Sequence, residues 1–130
     1  MKKIPGISDS EWVIMKILWE SHPQTANSII DKIPRTTGWN PKTVKTLINR
    51  LVKKNAVKFE KAGKEYLYSP SVKKEECIRV EKKSLLEKLY DGERKSMLKS
   101  FIEEEDLTEN EINELMELLK RKADKHGKND

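Results

Sequence analysis

The feature that most limits what this chain can fold into is a change of hydrophobic period at Asn55. Ahead of it, apolar residues recur every three to four positions, the spacing of helices that bury one face. Behind it, Val57, Phe59, Glu60 and Lys61 lead to Ala62-Gly63-Lys64, and Glu65, Tyr66, Leu67 and Tyr68 follow. Two short β-rich runs around a glycine-containing turn read as a hairpin. The order helix, helix, helix, hairpin predicts a winged helix-turn-helix over residues 1–72, with the second and third helices as the motif and the hairpin as the wing.

Breakers and caps mark the helix ends. Pro5 and Gly6 precede the first helix, which Ser8 and Glu11 open as a capping box. It runs to about Ser21 with Trp12, Met15, Leu18 and Trp19 on one face, and Pro23 ends the stretch. The second helix starts near Thr25 and carries Ala26, Ile29, Ile30 and Ile33; Pro34 and Gly38 bound the next connection. The third opens with Asn40 as N-cap and Pro41 at the first helical position, where a missing N–H costs nothing. Val44, Leu47, Ile48 and Leu51 turn inward.

Beyond Pro70 the pattern is helical throughout. One helix covers residues 73–90 with a stripe of Ile78, Leu85, Leu86 and Leu89, and Asp91-Gly92 breaks it. A short helix carries Met97, Leu98, Phe101 and Ile102. Thr108 and Glu111 form a second capping box before Ile112, Leu115, Met116 and Leu119, and residues 123–130 are expected to fray. The expected fold is therefore mostly α with a small β-hairpin: a winged-helix DNA-binding domain over 1–72 and an all-helical dimerisation domain over 73–130.

Composition supports pairing with a second copy. Charged residues make up 38% and hydrophobic residues 35% of the 130, which leaves little apolar surface for large cores. The rear helices cannot bury their stripes alone, so Leu85, Leu89, Leu98, Phe101, Ile112, Leu115, Met116 and Leu119 are the expected homodimer contacts. No apolar run approaches the roughly 18 residues of a membrane span, and Met1-Lys2-Lys3-Ile4-Pro5-Gly6 has no apolar stretch of a signal peptide behind it. A cytoplasmic protein without membrane insertion is expected.

Charge divides the chain. Residues 1–72 carry 13 Lys/Arg against 6 Asp/Glu, a net of +7, while residues 73–130 carry 14 against 16, a net of −2. The basic half is the candidate for a polyanion. On its third helix the face opposite the apolar stripe shows Lys42, Thr43, Thr46, Asn49, Arg50 and Lys53, with Lys45 at the border and no carboxylate between Asn40 and Lys54. A solvated helix usually mixes signs, so a face stripped of acids asks for an anionic partner. Lysine and arginine reach phosphates, while threonine and asparagine approach base edges in the major groove of double-stranded DNA. Lys61 and Lys64 at the wing tip would touch the flanking backbone. A winged helix used only for protein contacts remains the competing reading.

Enzyme readings fail on inventory. His22 and His126 have no partner at metal or relay spacing, and no phosphate-binding glycine loop or zinc-protease motif is present. Glu103-Glu104-Glu105-Asp106 reads as a solvated helix end, and the single cysteine, Cys77, as a packed helix thiol. Trp12 and Trp19 read as core of the first helix, and Trp39 as a staple ahead of the third. No catalytic residue, metal or cofactor is expected.

Particular residues carry a resemblance. Met1-Lys2-Lys3-Ile4-Pro5 with Ile7-Ser8-Asp9 and Glu11, Trp39-Asn40-Pro41-Lys42-Thr43-Val44, Leu51-Val52-Lys53-Lys54 and Tyr68 resemble the BlaI/MecI penicillinase repressors. The likeness continues through Tyr90-Asp91-Gly92, Ser96-Met97, Phe101, Leu107 and Glu111-Ile112-Asn113-Glu114-Leu115. It implies a dimeric winged-helix repressor of β-lactamase or penicillin-binding-protein genes, bound to palindromic operators. It also implies a membrane β-lactam sensor whose signal leads to cleavage of the repressor's C-terminal part. The matching bond is Ser100–Phe101, where the family usually has asparagine before the phenylalanine. Copper-responsive relatives carry C-terminal Cys-x-Cys pairs, which the end Lys125-His126-Gly127-Lys128-Asn129-Asp130 lacks. The alternative is a regulator of other genes in the MarR-like mode, released from DNA by a bound small molecule.

Overall fold

A computed structural model describes residues 3–127. The elements follow in the order α1 (Asp9–Glu20), α2 (Ala26–Lys32), a 3-10 turn (Arg35–Thr37), α3 (Pro41–Lys53), β1 (Val57–Ala62), β2 (Glu65–Pro70), α4 (Lys74–Tyr90), α5 (Arg94–Glu104) and α6 (Glu109–Gly127). The chain forms two compact units, residues 1–84 and 85–130.

The first unit is a winged helix. Ser8 caps α1, with its hydroxyl accepting from Glu11 N at 3.2 Å while Glu11 Oε1 accepts from Ser8 N at 2.9 Å. Thr25 caps α2 by accepting from Ser28 N at 3.1 Å. Helix α3 ends in a Schellman arrangement: Asn55 N donates to Val52 O and Ala56 N to Leu51 O, both at 3.0 Å, with Asn55 at φ +64°. That reversal turns the chain straight into β1. The two strands pair antiparallel with Phe59 opposite Tyr68 and Ala62 opposite Glu65. Gly63 opens the two-residue turn at φ +65°, a conformation that a side chain would strain.

The core joins Ile14, Met15 and Leu18 of α1, Ile29 of α2, and Val44, Leu47, Ile48 and Leu51 of α3. Ala56, Val57, Val72 and Cys77 close it. The expected inward face of α3 is the observed one. On α1 the centre of the buried face lies at Ile14, Met15 and Leu18, whereas Trp12 and Trp19 pack half-buried at its rim. Their rings meet edge to face at 5.5 Å, and Trp19 Nε1 donates to Val72 O at 2.9 Å. An indole sits at a rim for this reason: its N–H needs a partner that an apolar interior does not hold.

A third strand is reduced to one residue pair. Gln24 N donates to Tyr68 O at 3.0 Å and Tyr68 N to Gln24 O at 2.8 Å, so the α1–α2 connection is stitched to the wing. The buried Gln24 amide is fully used. Its Nε2 donates to Ile17 O and Ser21 O, and its Oε1 accepts from Ser28 Oγ and Lys32 Nζ, both at 2.8 Å.

Within α4 the buried side chain is Cys77, while the expected stripe residues Ile78 and Leu89 are exposed and Leu85 and Leu86 half-buried. Burial pushes the Cys77 thiol pKa up, helped by Glu76 and Glu81, which suits a packed thiol. In the second unit, Asp91 and Gly92 both take positive φ where the sequence breaks the helix. Thr108 and Glu111 form their capping box at 3.0 and 3.1 Å. Helix α6 continues to Gly127, so residues 123–127, expected to fray, are helical; 128–130 lie outside the described residues. No described residue from 85 to 127 is buried.

Candidate nucleic-acid interface

Helix α3 starts where the sequence starts it. Asn40 Oδ1 accepts from Thr43 N at 2.9 Å, and Pro41 occupies the first turn. Burying Val44, Leu47, Ile48 and Leu51 fixes the rotation of the helix, at ~1.5–3 kcal/mol for each large side chain. The opposite face is thereby presented outward. Lys42, Lys45, Thr46, Asn49, Arg50 and Lys53 are exposed and Thr43 is half-buried. These seven share one helix surface.

The wing adds to that surface. Lys61 sits near the end of β1 opposite Tyr66, and Lys64 sits in the turn; both are exposed. A cleft of about 150 Å³ is lined by Thr25, Ala26 and Asn27 at the start of α2, Lys45 of α3, and Glu65, Tyr66 and Tyr68 of β2. Lys45, at the border of the α3 face, therefore stands beside the wing. Sequence reasoning passed over Tyr66, which is exposed and packs edge to face on Phe59 at 5.1 Å. An aromatic ring left in water beside lysines was the signal available. Burial, then the neighbouring Tyr66, push the Tyr68 phenol pKa up, so it stays a neutral hydrogen-bonding group.

The remaining residues of interest lie in the second unit or at its edge. Leu85 and Leu89 are on α4, Leu98 and Phe101 on α5, and Ile112, Leu115, Met116 and Leu119 on α6. All but the half-buried Leu85 are exposed, Leu98, Met116 and Leu119 to about 60%. Ser100 and Phe101 lie inside α5, and Ser100 Oγ is hydrogen-bonded to Tyr90 Oη at 2.8 Å.

A winged helix with a basic, acid-free recognition helix defines a DNA-binding protein. Comparison with known proteins narrows the class. A model of the family described as penicillinase repressor matches residues 7–121, and the chain belongs to that family of DNA-binding transcriptional repressors, which are not enzymes. It is 39% identical over 119 residues to the penicillinase repressor of Bacillus licheniformis, covering 92% of this chain and 93% of that one. It is 37% identical over 116 residues to the methicillin resistance regulatory protein MecI of Staphylococcus aureus, covering 89% and 94%. Among solved structures, the Bacillus licheniformis BlaI monomeric form in complex with the blaP half-operator aligns with a TM-score of 0.50 at 39% identity. That alignment covers 57% of this chain and 90% of that one. No helix among the described residues is long and apolar enough to cross a membrane.

Proposed function

We propose that the chain is a cytoplasmic, homodimeric repressor of β-lactamase or penicillin-resistance genes. Residues 1–72 read a palindromic operator, and residues 73–130 pair two copies. The observation that carries the reading is the outward face of α3, seven polar or basic residues without a carboxylate, continued by Lys61 and Lys64. Lys42, Lys45, Arg50 and Lys53 meet phosphates or guanine, Lys61 and Lys64 of the wing touch the flanking backbone, and Thr43, Thr46 and Asn49 lie where base edges pass. The likeness to a BlaI form bound to a half-operator supports the same use of this surface.

Dimerisation is supported by the exposed leucines of the second unit, which form apolar surface that a monomer would leave in water. Two recognition helices then meet half-sites about one DNA turn apart, or a multiple of it. Release follows a cut at Ser100–Phe101 under the control of a membrane β-lactam sensor. That bond lies inside α5, so hydrolysis splits a helix of the pairing unit.

Footprinting of the intact protein on the DNA upstream of its own gene tests this. Two protected half-sites related by a twofold axis are expected, with affinity falling steeply as salt rises. Absence of any salt-dependent protection would overturn the proposal.

A further inference from the structure

The hydroxyl protons of both threonines on the α3 face are already committed. Thr46 Oγ1 donates to Lys42 O at 3.0 Å, one turn back along the helix. Thr43 Oγ1 donates to Asn40 Oδ1 at 3.1 Å, the same oxygen that caps the Thr43 N–H. A hydroxyl has one proton to give. The bond to the preceding turn also selects the Thr46 rotamer, drawing Oγ1 in against its own helix and leaving the other branch of the side chain, its methyl, for the exterior. Thr46 is exposed, so that methyl has no core to pack against.

In the major groove the amino donors of adenine and cytosine would need the lone pairs of Thr46 Oγ1, which is held against Lys42 O of its own helix, so the methyl is the group left to meet a base edge. Guanine shows only acceptors there, which a threonine with a spent proton cannot serve. Thymine shows a C5 methyl, which an outward methyl can meet. We infer that Thr46 reads thymine through a methyl–methyl contact, and that guanine recognition on this helix falls to Lys42 and Arg50. This rests on α3 being the recognition helix and names which base chemistry one of its residues selects.

The full-length protein is used to select duplexes from a random pool, and each thymine of the selected site is then replaced in turn by deoxyuridine, which removes only the methyl. At one thymine per half-site the replacement is expected to lower affinity roughly fourfold, the worth of one buried methyl. Thr46→Ser keeps the hydroxyl but loses the methyl, so it should bind the thymine site as weakly as the native protein binds the deoxyuridine site, and be insensitive to that replacement. Thr46→Val keeps the methyl and should retain the full deoxyuridine effect. Because the side chain is exposed, both variants are expected to give the native circular dichroism spectrum. If Thr46→Ser silences no thymine position, or if Thr46→Val loses the effect as Ser does, the inference is overturned while α3 remains the reader. Salt-dependent binding with no sequence selected at all would instead overturn the recognition-helix reading together with the inference.

Discussion

Glu11 carries a structural task that its place in a capping box does not reveal. The capping box with Ser8 is visible from three residues' spacing, but the carboxylate is also buried and paired with Lys54, 43 residues on, at the end of α3. Lys54 Nζ donates in addition to Gly6 O at 3.1 Å. One lysine thus ties the start of α1 to the end of the recognition helix. Burial pushes the Glu11 pKa up, but the hydrogen bonds from Lys54 and Ser8 and the lysine's charge outweigh it and hold the group below the ordinary glutamate range. A depressed carboxylate stabilises the fold at pH values above its unfolded pKa, about 4.3, and that contribution is lost as pH falls through the lower folded value. The thermal stability of the first unit should therefore fall on acidification below that range, and Glu11→Gln should flatten this part of the profile. Lys54→Met should cost about 1–3 kcal/mol, read in urea melts at neutral pH, because a buried carboxylate keeps only its Ser8 partners. Pairs this far apart in sequence have no local pattern, which is why the Glu11–Lys54 pair was not legible in the sequence.

At the scale of elements, local rules carried most of the reading. Helix α3 has its cap, its first-turn proline and its buried stripe in consecutive residues, so its face could be assigned before any contact was known. The hairpin was equally legible, since Gly63 supplies the left-handed turn between two β-rich runs. Gly63→Ala should destabilise the wing by about 1–2 kcal/mol, measured by chemical denaturation. What escaped were contacts between elements. The bridge from Gln24 to Tyr68 is too short to leave a strand pattern, and although Cys77 was legible as a packed thiol, the core it packs into, that of the winged helix, was not. Lys45 belongs to both the α3 face and the cleft beside the wing. Lys45→Ala should weaken binding to specific and random duplex alike. It should reduce the slope of log affinity against log salt by about 1, as loss of one phosphate contact requires.

For the whole molecule, the two units differ in what they can do alone. Residues 1–84 contain the complete core from Ile7 to Cys77, whereas none of the described residues from 85 to 127 is buried. Residues 1–84 made as a separate protein should keep the helical spectrum and cooperative melt of a winged helix. They should bind a full operator roughly 10²–10⁴-fold more weakly than the intact chain, because the second half-site is no longer held nearby. The apolar stripes of α5 and α6 were legible from their periodicity; their occupant was not, because a stripe records that a partner is needed and not which one. Sedimentation equilibrium of the intact chain against residues 1–100 tests the account most directly. The shorter protein lacks Phe101, Ile112, Leu115, Met116 and Leu119, side chains worth ~1.5–3 kcal/mol each when buried. The intact chain should be a dimer at micromolar concentration, and residues 1–100 a monomer with a dimer constant weaker by several orders of magnitude. A monomeric intact chain, or an unchanged dimer constant in the shorter one, would contradict the account.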